Sequence, residues 1–306
     1  MIYLILFLIS LSLTYYIKNH AIKNSLLDIP NERSSHSIAT PHGGGIAIAL
    51  TWFLGITYLY IFNEIESSLY FALMVGVVIS AISYLDDLYG LSAKVRLFVQ
   101  FFVAFLGLYF LNFFDNNIFI IILAIFMIVW FINLYNFLDG IDGYAGSEAV
   151  FLGLAGFILF DSSYFLVLVV SVLGFLIFNW HKAKIFMGDV GSTLLGYTIA
   201  IFALSNDGEN LSIWLILFSL FIYDATITLY RRFKRGKNIT YAHKSHAYQR
   251  LTQSSFSHAK VVILAMLVNF VFFGLVYFVP NLVIVSIITL GILFLVMRYV
   301  DKRKAF

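Results

Sequence analysis

Between two long apolar runs lies Asn133-Leu-Tyr-Asn136-Phe-Leu-Asp139-Gly-Ile-Asp142-Gly143, which packs two Asn, two Asp and two Gly into eleven residues. Residues three apart share a helix face, so Asp139 and Asp142 would present paired carboxylates if the segment is helical. Polar groups this dense are expensive beside hydrocarbon, and in an apolar chain they mark a functional site by default.

Three other stretches carry comparable chemistry. Asp86-Asp87 ends an apolar run and is followed by Lys94-Val-Arg96. Adjacent carboxylates repel, and a hard cation such as Mg²⁺, which takes carboxylate and phosphate oxygens, relieves that repulsion. The plain alternative is an acidic turn at a helix end. Gly188-Asp189-Val-Gly191-Ser192 opens another apolar run, where glycines let backbone N–H groups approach a phosphate at a helix N-terminus. Asp189 as a simple helix cap explains the same residues. His243-Lys-Ser-His246 sits in the most basic loop, with Arg250 nearby. It reads as a positive, hydrogen-bonding phosphate clamp. A zinc site lacks a Cys or an evident third ligand, and a basic membrane-surface loop is the bland reading. Asp224 lies within an apolar run with Arg231 seven residues on, which predicts an ion pair on one helix face. The early loop, 31–36 and Pro41-His42-Gly43-Gly44-Gly45, reads as a crossing whose glycines suit close helix packing.

These residues are held by an unusual chain. Of 306 residues, 61% are hydrophobic and 11% charged, and the mean hydropathy is +0.94, far outside the soluble class. Eleven apolar runs approach the ~20 residues that cross a bilayer: 2–17, 43–62, 68–85, 97–112, 118–135, 144–160, 164–180, 190–205, 213–230, 261–279 and 282–297. The first reads as a retained span, because no basic region precedes it and no small-residue cleavage site follows. Alternate connections (18–42, 86–96, 136–148, 181–189, 231–260 and the tail from Arg298) hold all 19 Lys and Arg residues, eight of them in 231–260. The positive-inside rule then predicts an all-α, polytopic membrane bundle of about eleven helices forming a single domain over 1–306, its N-terminus outside and its C-terminus cytoplasmic. The absence of Cys excludes disulfide and thiolate chemistry. A net charge of only +3 gives no reason to expect nucleic acid.

Every motif falls on the predicted cytoplasmic side. Polar groups on one side suit a surface active site, whereas a transporter needs them through the depth of the membrane. Carboxylates for Mg²⁺, a glycine loop and a basic loop together are what phosphoryl transfer requires. A membrane prenyltransferase with Asp-rich motifs is the nearest rival, and a transporter is the rival from another class.

The four motifs, in this order and on this predicted topology, resemble the polyprenyl-phosphate N-acetylhexosamine-1-phosphate transferases, over residues 86 to 251. The resemblance implies transfer of a HexNAc-1-phosphate from a UDP-N-acetylhexosamine to undecaprenyl phosphate, releasing UMP, with Mg²⁺ as cofactor and Mn²⁺ as its substitute. It implies Asp189, with Asp87, as metal ligands, and Asp86 and Asp87 as the catalytic pair at the lipid phosphate. Lys94, Asn136, Asp139, Asp142, Gly188, Ser192, His243, His246 and Arg250 become the substrate-binding residues. The His-x-x-His form is similar to the initiators of O-antigen and other surface polysaccharides rather than to the peptidoglycan branch. Further implications are a multi-pass place in the bacterial inner membrane, an active site on the cytoplasmic face, the bilayer as partner, and room for a homodimer.

Overall fold

In the computed structural model, residues 1–30, 38–208, 210–238, 241 and 243–306 are described; 31–37 of the early loop and Glu209 of a predicted turn lie outside that set. The chain is helical almost throughout. In order run α1 (Ile2–Lys23), α2 (Gly45–Ile61), α3 (Ser67–Met74), α4 (Gly76–Tyr89), α5 (Ala93–Phe110), α6 (Ile118–Phe137) and α7 (Tyr144–Phe160). Then come α8 (Tyr164–Asn179), α9 (Asp189–Leu204), α10 (Leu211–Leu217), α11 (Ser219–Lys234), α12 (Ala247–Gln253), α13 (His258–Phe278) and α14 (Leu282–Arg303). Two short strands, β1 (Leu27–Asp28) and β2 (Thr40–Pro41), pair antiparallel across the early loop.

Each of the eleven apolar runs is helical. Six helical segments among the described residues are long and apolar enough to cross a membrane, with α3 and α4 forming one of them. The α10–α11 pair passes the same test as a unit but is bent by 70°. The remaining runs, α2, α7, α8 and α9, are shorter apolar helices. Turn residues behave as their chemistry requires. Asn63 and Asp161 adopt left-handed φ of 57° and 49° at helix ends, where short polar side chains are tolerated. Asn117 accepts the Phe119 N–H at 2.9 Å to cap α6, and Asn281 accepts those of Val283 and Ile284, both at 3.1 Å, to cap α14.

Helix α9 is the axis of the bundle. Every residue from Val190 to Leu204 is buried, as expected of a helix that is apolar around its whole circumference. It packs against α6, α4 and α2, while α8 packs on α1, α2 and α7, and α13 closes on α7. The periphery is apolar too: Phe98, Phe119 and Phe278 are each more than 70% exposed. Outward faces of that kind fit a hydrocarbon solvent and do not fit water.

The α2–α9 crossing sets the position of the site. Gly45 and Gly191 meet backbone to backbone, and a Cβ on Gly45 would collide with the nitrogen and Cα of Gly191. We expect Gly45→Ala to lower stability by about 1–3 kcal/mol through overpacking. Gly291→Ala, where a Cβ meets nothing within 4 Å, should be neutral or slightly stabilising. Thermal unfolding of both variants in detergent checks the pair, and equal melting temperatures would refute the close crossing.

Candidate active site

Asp189 is the first residue of α9. Gly188 before it takes φ +76°, a left-handed turn that glycine enters without penalty. The turn is stitched to the glycine-rich start of α2: Gly44 N–H donates to the Phe186 carbonyl at 2.9 Å and Gly45 N–H to that of Met187 at 2.8 Å. Phe186 N–H returns a bond to Pro41 at 2.8 Å. The glycines of the early loop therefore serve packing, one of the uses their sequence suggested, and hold the carboxylate in place.

Asn136, in the last turn of α6, donates its amide to Asp189 Oδ1 at 2.8 Å and to the Ser192 hydroxyl oxygen at 3.0 Å. Ser192 is fully buried, so it acts through Asn136 and the α9 backbone. Asp86 and Asp87 arrive from the end of α4, which Gly90 terminates at φ 64°. Asp86 is already committed: its Oδ1 accepts the Leu91 N–H at 2.7 Å, and Arg96 Nη1 reaches its Oδ2 at 2.9 Å. The same Arg96 nitrogen lies 3.8 Å from Asp189 Oδ2. Arg96 thus bridges two of the motif carboxylates, although it stood in the sequence only as a motif neighbour of Lys94. Lys94 itself is exposed and makes no ion pair among the described residues. Asp87 is exposed, faces Gly188, and lies within electrostatic range of both Asp189 and Asp86.

Asp139 completes the group. Burial first, and then the Asp189 charge, push its carboxyl well above the ordinary carboxylate range. Asp86 and Asp87 thus crowd Asp189, with Arg96 bridging Asp86 and Asp189, Asp139 held toward its neutral form beside Asp189, and His42 also within electrostatic range of Asp189. His42 was not singled out as a site residue, since nothing in its local pattern pairs it with residue 189. A set of crowded hard oxygen donors with too few cations fits Mg²⁺, which binds through one or two carboxylates plus phosphate oxygens.

Asp142 does not share the surroundings of Asp139. Its Oδ2 lies 3.2 Å from Nδ1 of both His181 and His258, and accepts the Ala183 N–H at 3.2 Å. Burial would raise its carboxyl, but His258, the Ala183 amide and His181 together outweigh burial and hold it below its ordinary value.

The histidine loop packs against the opening segment from the other side. Tyr248 of α12 donates its hydroxyl to the Phe137 carbonyl at 3.0 Å and stacks on Tyr144 at 5.0 Å. The expected Asp224–Arg231 pair does not form. Asp224 instead accepts the Ala247 and Tyr248 N–H groups at 2.8 and 3.3 Å, capping α12, with His246 Nδ1 3.5 Å away. Arg231 forms a two-pronged bond with Asp301 of α14 at 2.8 and 3.0 Å. The cap leaves the Asp224 carboxylate occupied, and α14 supplies a nearer acid for Arg231. Arg250 is buried as well, bonded to Asp301 at 2.6 Å and to the Lys304 carbonyl at 3.1 Å. His243 stacks on His246 at 4.9 Å. Burial, then His246 and Arg232, hold its imidazole down at about 4, so at neutral pH it offers a hydrogen bond rather than a charge.

Comparison with known proteins bears directly on this arrangement. The profile described as glycosyl transferase family 4 matches residues 69–206. The chain is 33% identical over 287 residues to the Bacillus subtilis (strain 168) probable undecaprenyl-phosphate N-acetylglucosaminyl 1-phosphate transferase, covering 86% of this chain and 79% of that one. The chain belongs to glycosyl transferase family 4. It is also 30% identical to the Mycobacterium tuberculosis (strain ATCC 25618 / H37Rv) decaprenyl-phosphate N-acetylglucosaminephosphotransferase, over 80% of this chain and 74% of the relative. With the Escherichia coli (strain K12) undecaprenyl-phosphate alpha-N-acetylglucosaminyl 1-phosphate transferase the identity is 27%, over 86% and 78%. As a member of this family the chain is a transferase enzyme, and the family is of a kind that normally needs a divalent metal.

Two measurements test the surroundings of the family 4 site. Arg250→Ala leaves the Lys304 carbonyl without its donor and Asp301 with Arg231 alone, so thermal unfolding should show a loss of about 1.5–3 kcal/mol; an unchanged transition would free Arg250 from its place against Asp301. Because folded His243 binds its proton less readily than an unfolded His near 6.5, its contribution is complete above about pH 6.5 and falls away toward pH 4. His243→Asn should therefore flatten the fall in stability across that interval, and parallel profiles would contradict the assignment.

Proposed function

We propose that this chain transfers a HexNAc-1-phosphate group from a UDP-N-acetylhexosamine to undecaprenyl phosphate, releasing UMP and a lipid-diphospho-sugar. The observation that carries the reading is the gathering of Asp86, Asp87 and Asp139 about Asp189 from three separate helix ends, with Arg96 bridging Asp86 and Asp189. The names of the relatives, all polyprenyl-phosphate N-acetylglucosamine-1-phosphate transferases, support the same reaction and make UDP-GlcNAc the first donor to test.

The roles divide by what each carboxylate is free to do. Asp86 is bound by Arg96 and the Leu91 amide, so it holds the turn and positions Arg96. Asp87 is exposed; it would receive the lipid phosphate and take its proton. A lipid phosphate oxygen attacks the sugar-linked phosphorus, the diphosphate P–O bond breaks, and UMP leaves with the electron pair. Asp189, kept in register by Asn136, would hold Mg²⁺ together with Asp87. Bound Mg²⁺ supplies neutralisation of the diphosphate oxygens. Arg96 adds a fixed positive charge where negative charge develops. Asp139 would order the nucleotide end with Lys94, while Asp142, its carboxylate taken up by His181, His258 and the Ala183 amide, would act by holding that loop in place; His243 and His246 would hydrogen-bond the diphosphate or sugar, and Arg250 seats their loop.

The setting follows from the charge pattern. Eleven crossings with the N-terminus outside put every motif, and all Lys and Arg, at the cytoplasmic face of a bacterial inner membrane. The continuous core from Leu6 to Leu293 suits one domain, and the His-x-x-His loop favours initiation of an O-antigen-type surface polysaccharide.

Purified protein given undecaprenyl phosphate, Mg²⁺ and a panel of UDP-sugars should release UMP and form lipid-linked sugar, with Mn²⁺ a working substitute. Asp87→Asn and Asp189→Asn should each reduce turnover about 10²–10³-fold, the scale of losing a charge-stabilising group. Pyrophosphate release from a prenyl diphosphate, without UMP from any UDP-sugar, would replace this reading with a prenyltransferase.

A further inference from the structure

We propose that Asp142, His181 and His258 form a second metal site, specific for a borderline transition-series cation such as Zn²⁺ and separate from the Mg²⁺ carboxylates. The three residues come from the α6–α7 loop, the connection after α8 and the first turn of α13, and their ligand atoms all lie within 4.8 Å of one another. Both imidazole Nδ1 atoms sit 3.2 Å from the same carboxylate oxygen. Two ligands each ~2.0–2.1 Å from a tetrahedral zinc are separated by about 3.3 Å, so both separations already match the edge of a coordination polyhedron.

The hydrogen bonding at this cluster is overcommitted without a cation. Asp142 Oδ2 already faces the Ala183 N–H at 3.2 Å. His258 Nδ1 lies 3.3 Å from the Asp142 backbone N–H, in position to accept it. If that nitrogen accepts, it carries a lone pair, and its 3.2 Å approach to a carboxylate oxygen brings two electron-rich atoms together. If it donates to the carboxylate instead, the backbone N–H loses its acceptor. One nitrogen cannot do both. A cation between the imidazoles and the carboxylate relieves the repulsion by taking one lone pair from each of the three ligands, in exchange for the Asp142 N–H bond to His258.

Ligand type sets the choice of ion. Two imidazoles and one carboxylate suit Zn²⁺ and its neighbours, whereas Mg²⁺ prefers oxygen donors throughout. Asp142 is buried and His258 half-buried, while His181 faces outward, so the fourth position opens to water on the His181 side. One structural neighbour anchors these segments: Asn179 Oδ1 accepts the Gly143 N–H at 2.9 Å, and its Nδ2 donates to the Ile185 carbonyl at 2.9 Å. The ion would pin the segment carrying Asp139 to α13 and to the loop that leads into Asp189.

Metal content reads this site independently of turnover. Full-length protein is stripped with a chelator, given Zn²⁺ in the presence of excess Mg²⁺, desalted and assayed by mass spectrometry for zinc per chain; Co²⁺ reports ligand type through its visible absorption. Wild type and Asp189→Asn should each retain one equivalent, and Zn²⁺ should raise their melting temperature. His181→Ala, at an outward-facing position, and His258→Gln should bind more weakly by more than about tenfold, with no zinc-dependent rise in melting. Circular dichroism confirms folding, and His181→Ala decides the matter if His258→Gln does not fold. Failure of wild type to retain zinc, equal retention by His181→Ala, or loss in Asp189→Asn would each overturn the proposal.

Discussion

A surplus of carboxylate at the end of a helix with no polar face is the constraint on which this structure turns. Helix α9 is enclosed by apolar neighbours from Val190 to Leu204, yet it begins with Asp189, beside Asp87 and Asp139. Charges in such a place persist only if they are paired or coordinate a cation. Here the protein supplies Arg96 and the Asn136 amide, which is too little to neutralise the group. The deficit is the chemical property a diphosphate and its metal ion can use.

Everything near Asp189 serves to keep that imbalance in one geometry. The glycine contact between α2 and α9 lets two backbones touch, and the backbone bonds from Gly44 and Gly45 fix the turn before Asp189. Asn136 links the end of α6 to the same carboxylate, while Tyr248 ties α12 to the α6 carboxyl end. A site built from helix ends held by backbone contacts loses little order when substrate arrives. Preorganised charge of this kind is what stabilises developing negative charge in phosphoryl transfer.

The second ring of polar residues works at a distance from the reacting groups. Asp224 caps α12 from within the bent α10–α11 pair, and Arg231 and Arg250 share Asp301 on α14. These bonds seat the histidine loop on the bundle, so that His243 and the buried His246 are held by a fixed element. The neutral state of His243 follows from the same burial and from His246 and Arg232 beside it.

The local pattern of the chain was enough to determine the helices and the motif list. Apolar run length sets where a helix can form in hydrocarbon, and all eleven runs are helical for that reason. Adjacent Asp86-Asp87, the Asn136–Asp142 spacing and the Gly188–Ser192 turn were visible because their chemistry is local. Pairings across the bundle were not. Arg96 bridging Asp86 and Asp189, Arg250 turning to Asp301, and Asp224 capping α12 rather than meeting Arg231 each depend on which helix ends are neighbours. Asp142 is the clearest case. Its spacing from Asp139 suggested one shared face, but the chain leaves the helix at Phe137, and the two carboxylates then diverge. Asp139 remains with Asp189, and Asp142 meets His181 and His258, 39 and 116 residues away. Periodicity governs a side chain only while its helix continues; beyond the last turn, its partners are decided by tertiary packing alone.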